Sequence, residues 1–195
     1  MTEFDLGNAV LRLARSAIAE QLGLGTLDPM SHASLEQPSA TFVTVKVARE
    51  LRGCVGSLQA VRTLREDVRA NAVAAAFRDP RFAPLEASEF AGASLEVSLL
   101  SGEERIDVAS EQELLTRLRP GIDGVILQYG SHRATLLPQV WERLNDPREF
   151  MTALKLKAGL PEDFWSVGVQ VSRYGATTWK EPEPALAAII VPSAR

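Results

Sequence analysis

Two strand-like runs separated by a short turn constrain the fold of this chain most. Residues 41–47 alternate and are rich in β-branched side chains, which is typical of a strand. A turn at Arg49-Glu50 leads into a second run at 51–58, which contains two glycines. Strands joined by so short a turn pair in antiparallel fashion. The segment therefore predicts an antiparallel hairpin, with a bend or a close backbone approach at the glycines.

Helical and strand-like patterns alternate along the rest of the chain. Thr63 with Glu66, and Ser110 with Glu113, form the pattern of a capping box, which marks a helix start. Helices are predicted at 6–22, 63–77, 110–119 and 146–159, and further strands at 94–100, 124–129, 133–137 and 167–171. Strands joined by hairpins, with helices inserted, predict an α+β fold with a mainly antiparallel sheet.

Composition limits the classes of function. The chain has 195 residues, which suits one large domain or two small lobes, and 46% are hydrophobic, which suffices for a core. A single cysteine excludes an intramolecular disulfide and a cysteine-rich zinc site, and it fits a reducing compartment. The sequence shows no signal-like segment and no apolar run of membrane length, so we expect a cytoplasmic protein. The net charge of -4 argues against nucleic-acid binding.

The sequence Leu-Arg-Gly-Cys-Val-Gly at residues 51–56 holds the most chemically specific group. Gly53 and Gly56 leave space beside the thiol of Cys54, and Arg52 places a positive charge next to it. A nearby cation favours the thiolate, which is the nucleophilic form. The alternative is that Cys54 points inward as a small apolar core residue, as free cysteines commonly do. The residues alone leave both interpretations open.

Five arginines offer two candidate anion sites. Arg62, Arg65 and Arg69 fall on one side of the capped helix, where a solvated face offset by acidic neighbours is the preferred interpretation. Arg78 and Arg81 bracket an Asp-Pro turn, and rigid turns often position functional side chains. A pair of guanidinium groups there predicts a site for a phosphate or a carboxylate.

Glu96 is the candidate acid or base. It lies in the apolar strand 94–100, and alternation puts it on one face with Ser94 and Ser98. That face is either plain solvent or the lining of a cleft, where a carboxylate can exchange protons with a substrate. The two histidines, His32 and His132, are too scattered to give a metal-ligand spacing, so no metal site is predicted.

Several segments together resemble the AMMECR domain family, which includes the A protein of the bacterial AmmeMemoRadiSam system. Residues 51–56 match its Leu-Arg-Gly-Cys-Ile-Gly signature, with Val55 in place of isoleucine. Further matches are Arg-Asp-Pro-Arg-Phe followed by Pro-Leu within 78–85, the strand at 95–100, the glycine hairpin with Leu-Pro-Gln-Val within 124–141, and Lys-Ala-Gly-Leu-Pro at 157–161. They follow the family's order over about residues 5–180, which is far more specific than the signature alone.

The resemblance implies a single domain over residues 1–181, with two lobes built on mainly antiparallel sheets with flanking helices. In such a domain the larger lobe holds both termini and the smaller lobe comes from the middle of the chain, at roughly 60–120. The signature loop lies near the groove between the lobes. Residues 182–195 have no counterpart in the family and are predicted to be loosely constrained.

The leading hypothesis is an enzyme, or an enzyme subunit, of a modification pathway that works in this groove. Its catalytic residues are predicted to be Cys54 and Glu96. The residues predicted to bind a small anionic ligand are Arg52, Gly53, Gly56, Arg78 and Arg81. Neither the reaction nor a cofactor follows from the sequence.

Two alternatives belong to other classes of protein. One is a binding or adaptor module for a Memo-like or radical-SAM protein, which the resemblance implies as partners, with exposed apolar residues near Leu136, Leu137 and Trp141 as the interface. The other is a protein associated with RNA modification, in which Arg62, Arg65 and Arg69 would bind the nucleic acid.

Overall fold

The computed structural model describes residues 3–25 and 31–182. In these ranges it shows an α+β fold with five α-helices and three antiparallel sheets, which confirms the predicted fold class. The helices are α1 (Glu3–Gln21), α2 (Leu64–Phe77), α3 (Ala87–Phe90), α4 (Glu111–Arg117) and α5 (Pro147–Lys157). The strands are β1 (Pro38–Ser39), β2 (Thr41–Val47), β3 (Glu50–Gly56), β4 (Arg62–Thr63), β5 (Ala93–Leu100), β6 (Glu104–Arg105), β7 (Gly124–Tyr129), β8 (His132–Leu136), β9 (Gln170–Tyr174) and β10 (Ala176–Lys180).

The predicted tail and the absence of a predicted membrane span are compared with the structure as follows. Residues 183–195, which make up nearly all of the tail predicted to be loosely constrained, lie outside the described residues. Within the described ranges, no helix is both long enough and apolar enough to cross a membrane.

The chain forms two compact units, and each has its own hydrophobic core. The first unit contains the described residues up to Leu100 and from Thr177 onward, and the second unit is Ser101–Ala176. The resemblance placed the smaller lobe at roughly 60–120, so the second unit begins and ends later in the chain than that range. The correspondence between these units and the family's lobes stays a prediction.

The main sheet of the first unit has the strand order β10-β5-β2-β3, and α1 and α2 pack on one of its faces. Val43, Val45, Leu95 and Val97 point into this core and are fully buried. The residues between them therefore point to the opposite face, because side chains alternate along a strand. We call that opposite face the polar face. Its members are Phe42, Thr44, Lys46, Cys54, Gly56, Ser94, Glu96, Ser98, Thr178 and Lys180.

β2 and β3 form the predicted hairpin at the edge of this sheet. Their two-residue loop consists of Ala48 and Arg49, whose φ angles are 51° and 71°. Two left-handed residues give the turn whose twist matches that of the flanking strands. Further along, Val45 lies opposite Gly53 while the next residue of β2 lies opposite Leu51. The residue between them on β3, Arg52, is thus an extra residue, and the edge strand carries a β-bulge beside Cys54.

A buried hydrogen-bond network ties α2 to the main sheet. Asp67 of α2 is fully buried, and its Oδ2 accepts hydrogen bonds from the backbone N (2.8 Å) and the Oγ1 (2.7 Å) of Thr41. Its other oxygen accepts one from the hydroxyl of Ser57 at 2.7 Å. Asn71, one turn later, donates to the backbone oxygen of Thr41 at 3.0 Å. Because the buried carboxylate is fully hydrogen-bonded, the network fixes the position of α2 against β2.

The second unit is built on the sheet β6-β9-β7-β8, and α5 packs against β8. Its core contains Phe150, whose ring stacks on that of Trp141 with centroids 3.8 Å apart. Trp141 is only 3% exposed, and its indole N–H donates to the backbone oxygen of Asp123 at 2.7 Å. The prediction that Trp141 forms an exposed interface is therefore wrong, since its ring is part of the core.

The last strands differ from the sequence prediction. A strand was expected at 167–171, but β9 begins three residues later, at Gln170. The backbone N–H of Val169 bonds the oxygen of Ser166 at 3.0 Å, which closes a turn, and Val167 is fully exposed. Val167 and Val169 therefore belong to a turn before the strand, whereas Val171 lies in β9 and in the core. β10 was not predicted at all.

Candidate functional site

The signature sequence lies in β3, and its two glycines make close contacts on opposite faces of the strand. Gly53 faces α2, where a Cβ atom would lie 1.9 Å from the backbone oxygen of Ala75. Only glycine lets the strand and the helix approach this closely. Gly56 lies on the polar face, where a Cβ atom would lie 2.3 Å from the ring of Phe42. The glycines thus set the position of β3 between a helix on one side and an aromatic ring on the other.

The sheet register brings the two predicted catalytic residues into one row. Thr44 of β2 lies opposite Cys54 of β3 and also opposite Glu96 of β5. Cys54, Thr44 and Glu96 are therefore cross-strand neighbours on three adjacent strands, all on the polar face. Two strand spacings separate the backbones of Cys54 and Glu96, which is roughly 10 Å. We call these three residues the catalytic row, because Cys54 and Glu96 are the residues predicted from the sequence to be catalytic.

The thiol of Cys54 lies outside the apolar core and is hydrogen-bonded. Cys54 is half-buried, and its side chain lies on the face opposite the core that α1 and α2 form. The hydroxyl of Thr44 donates to its sulfur at 3.3 Å. Of the two interpretations that the sequence left open, the geometry places Cys54 outside the apolar core.

An ion pair occupies the free edge of β3 at Cys54. The backbone N–H of Cys54 donates to Oδ2 of Asp79 at 2.9 Å, and Nη2 of Arg81 donates to the backbone oxygen of Cys54 at 3.4 Å. Arg81 also donates to both oxygens of Asp79, at 2.9 Å and 2.6 Å. This hydrogen bond from Arg81 is the main reason that the pKa of Asp79 is held below its usual range. The pair replaces the missing neighbour strand and fixes the backbone that carries the thiol.

Arg52 and Arg81 are engaged within the protein. The guanidinium group of Arg52 donates to both carboxylate oxygens of Glu89, at 2.8 Å and 3.0 Å, and to the backbone oxygens of Ala83 and Pro84. The hydrogen bond with Arg52 is the main reason that the pKa of Glu89 is lowered. The structure therefore brings Arg52 and Arg81 near Cys54 in the fold, but each neutralises a carboxylate.

Arg78 is separated from Arg81 by the direction of its side chain. It caps the C-terminus of α2 and lines a cleft of about 720 Å³ along α1 and α2, together with Arg62 and Arg69. Arg62, Arg65 and Arg69 each pair with a carboxylate. Arg81 is instead paired with Asp79, so the joint anion site of Arg78 and Arg81 stays a prediction that this pairing does not favour.

Glu96 lies between two lysines on the polar face. Nζ of Lys46 is 2.5 Å from its Oε1, and Nζ of Lys180 is 3.8 Å from the same atom. The side chain of Glu96 is 15% exposed, against 31% for Lys46 and 53% for Lys180. Glu96 can therefore exchange a proton with a bound ligand only where that ligand displaces a lysine.

The histidines take structural positions. Nδ1 of His32 accepts the backbone N–H of Ser34 at 3.1 Å and caps a short helix. Nδ1 of His132 pairs with the backbone oxygen of Ala158 at 2.9 Å. Among the described residues, no three histidine, cysteine or acidic side chains are grouped so that they could hold a metal ion.

Sequence reasoning missed Thr44, Lys46 and Lys180. Alternation alone put Thr44 and Lys46 on the same face of β2, which was a usable signal. What it could not supply was the pairing of β2 with both β3 and β5, which decides that Thr44 lies between Cys54 and Glu96. Lys180 lies on the strand that was not predicted, so no local pattern pointed to it.

Comparison with known proteins places the chain among archaeal relatives. A family model described as AMMECR1 matches residues 11–179. The protein MJ0810 of Methanocaldococcus jannaschii is 41% identical and a protein of Thermofilum pendens is 38% identical, each with 91% of both chains covered. The crystal structure of the uncharacterized protein PH0010 from Pyrococcus horikoshii is similar with a TM-score of 0.84 and 32% identity, over 91% of this chain and 92% of that one. None of these names states an activity.

Proposed function

The chain belongs to the AMMECR1 family, and from that premise we propose that it is an enzyme, or an enzyme subunit, that uses the thiol of Cys54 as a nucleophile. The observation that carries the proposal is the catalytic row, in which one register aligns a thiol, a hydroxyl that donates to it and a carboxylate. A purely structural cysteine needs neither a position outside the apolar core nor a donor aimed at its sulfur.

The roles in the row follow from the hydrogen bonds. The thiol gives up its proton to solvent, and the sulfur lone pair forms a bond to an electrophilic carbon of the substrate, which expels its leaving group. The hydroxyl of Thr44 stabilises the negative charge on sulfur before the attack. Glu96 lies across the row and gives or takes a proton at the far end of a bound molecule that displaces one of its lysines. Asp79 and Arg81 hold the backbone of Cys54 in place throughout.

The rate of alkylation of the single thiol tests the proposal. We expect iodoacetamide to label folded protein at about neutral pH at least as fast as the chain unfolded in guanidinium chloride, with several-fold slower labelling of Thr44→Val. Thr178→Val is the matched control, because Thr178 lies on the same face but bonds Ser98. Labelling that begins only when the protein unfolds would contradict an accessible nucleophile.

A cellular test addresses the pathway. Cys54→Ser should abolish the output of the pathway while the variant stays folded, and wild-type output from Cys54→Ser would end the thiol mechanism.

The Memo-like and radical-SAM partners stay a prediction that the resemblance alone supports. Co-purification at micromolar concentration tests it, and failure to form a complex there counts against it.

A further inference from the structure

The polar face carries an unbalanced positive charge next to the catalytic row. One carboxylate, that of Glu96, lies between the ammonium groups of Lys46 and Lys180. At neutral pH these three side chains sum to one positive charge. Because the carboxylate is mostly covered while Lys180 is half exposed, the surplus charge is presented toward solvent.

The arginines near Cys54 are paired with carboxylates. Arg81 is paired with Asp79 and Arg52 is paired with Glu89, so these four side chains sum to no net charge, although the charge of Arg81 also interacts with Cys54. Lys46 and Lys180 add their surplus positive charge to this field. Lys46 follows Thr44 by two residues on the same face of β2, the strand next to Cys54. The field of the lysines therefore acts on the thiol most strongly at low salt, where the Debye length reaches about 30 Å.

We propose that the molecule bound over the catalytic row is a small anion, and that Lys46 and Lys180 bind its carboxylate or phosphate group. The part of this inference that concerns Cys54 rests on the proposed function, whereas the anion site itself does not. Each ammonium group has three N–H donors, and Glu96 occupies only some of them, so an anion can bridge the two lysines. The bound anion then extends over Thr44 and presents its reactive carbon to the sulfur; Lys46 lies on the strand next to Cys54, and Lys180 lies on β10, three strand spacings or roughly 14 Å from β3.

The geometry also explains why the arginines near the signature do not serve this purpose. Arg81 donates two hydrogen bonds to Asp79, and Arg52 donates to the carboxylate of Glu89 and to two backbone oxygens. An anion that bound Arg81 or Arg52 would separate the arginine from its carboxylate, Asp79 or Glu89, and would leave that carboxylate without its partner, which is unfavourable. Lys46 and Lys180 share the single carboxylate of Glu96, so an anion can bind one lysine while the other stays paired with Glu96.

Two reagents of nearly equal size measure the field at the thiol. The single cysteine is alkylated with iodoacetate, an anion, and with iodoacetamide, which is neutral. The rate with iodoacetate is divided by the rate with iodoacetamide, first for the folded protein and then for the unfolded chain. The quotient is the ratio for the folded protein divided by the ratio for the unfolded chain. We expect the quotient to exceed one at low salt, to fall as salt is added, and to drop about twofold in Lys180→Gln. Arg65→Gln is the matched control, because Arg65 lies on α2 behind the sheet and should leave the quotient unchanged.

A second measurement separates the anion site from the thiol. Inorganic pyrophosphate should raise the Tm of the wild-type protein and of Arg65→Gln, but not that of the double variant Lys46→Gln/Lys180→Gln. If the thiol is inaccessible to both reagents but pyrophosphate stabilises, the proposed function fails and the anion site stands. A quotient of one in an accessible thiol, or the same Tm shift in the double variant, would overturn the anion site.

Discussion

At the scale of single residues, the position of Cys54 depends on Asp79. The side chain of Asp79 is only 3% exposed, and its carboxylate accepts hydrogen bonds from the backbone N–H of Cys54 and from Arg81. The hydrogen bond from Arg81 lowers the pKa of Asp79, and burial opposes that effect. The charged form of Asp79 is thus bound more tightly in the folded protein than in the unfolded chain.

We predict that Asp79→Asn lowers the free energy of unfolding by about 1.5–3 kcal/mol at neutral pH, since hydrogen bonds to a charged group are lost. Because the folded pKa is depressed, the contribution of Asp79 is fully present above the unfolded pKa of about 3.9 and is lost as the pH falls toward the lower folded value. Urea denaturation of both proteins across this pH range measures the difference.

Asp107→Asn is the control for this prediction. Asp107 also pairs with an arginine, Arg105, but its side chain is 82% exposed, and such pairs contribute little to stability. We expect a change near zero at every pH. A difference between wild type and Asp79→Asn that grows as the pH falls below about 4 would show that the charged carboxylate does not stabilise the fold.

The sequence identified some of these residues and misjudged the partners of others. Cys54 and Glu96 could be singled out because each is a reactive group in an otherwise apolar or glycine-rich run. Arg52 and Arg81 were expected to hold a ligand, but their carboxylate partners lie 37 and 2 residues away, respectively, and only the fold decides which partner a guanidinium group meets. Local sequence shows which groups are available and not which charges cancel.

At the scale of elements, the two glycines of β3 should respond differently to the same substitution. In Gly53→Ala the new Cβ meets the backbone oxygen of Ala75 at 1.9 Å, so β3 and α2 must separate. In Gly56→Ala it lies 2.3 Å from Cγ of Phe42, so the whole side chain of Phe42 must move, but no backbone atom blocks the new Cβ. Overpacking commonly costs about 1–3 kcal/mol, and we predict the upper end of that range or more for Gly53→Ala and a smaller loss within the range for Gly56→Ala.

Urea denaturation and thiol alkylation together check this pair. Gly53→Ala should lower stability most, whereas Gly56→Ala should chiefly change the alkylation rate of Cys54, because Phe42 lies one row away on the polar face. Equal losses of stability in the two variants would contradict the view that α2 approaches β3 at Gly53. Unchanged alkylation in Gly56→Ala would exclude Phe42 from the surroundings of the thiol.

Helix boundaries were predictable where caps are local, and strand partners were not. The capping box of Thr63 and Glu66 predicted the start of α2, and both of its hydrogen bonds are present. β10 could not be found in this way, because what defines it is pairing with β5, and its Thr178 bonds Ser98 from 80 residues away. The same distant pairing brings Lys180 to Glu96.

At the scale of the whole molecule, the chain leaves the first unit, forms the second and returns. Short turns between strands were enough to predict an α+β class with antiparallel sheets, because the class depends on local connections. The division at Leu100 and Thr177 depends on which distant segments share a core, and no break in composition marks it. A candidate site built from β2, β3, β5 and β10 therefore draws on both ends of the described chain.

Charge over the whole molecule bears on the hypothesis of RNA binding. The net charge is -4. The three arginines predicted to bind RNA in that hypothesis are paired with carboxylates: Arg62 with Asp67, Arg65 with Glu36 and Arg69 with Glu20. Nucleic-acid affinity comes largely from cations that neutralise phosphates, so paired arginines contribute little to it. The hypothesis thus requires that RNA displace carboxylates that are already in place.

We predict no binding of a single-stranded RNA oligomer at micromolar protein, even at about 50 mM salt, by fluorescence anisotropy. The variant Glu20→Gln/Glu36→Gln frees Arg69 and Arg65 and removes two negative charges, so it should gain weak binding that disappears as salt is raised. Binding by the wild-type protein with a steep salt dependence would restore the RNA hypothesis, and its loss in Arg65→Gln would locate the surface. Absence of binding in both proteins would show that Arg65 and Arg69 do not bind RNA even when their carboxylate partners are removed.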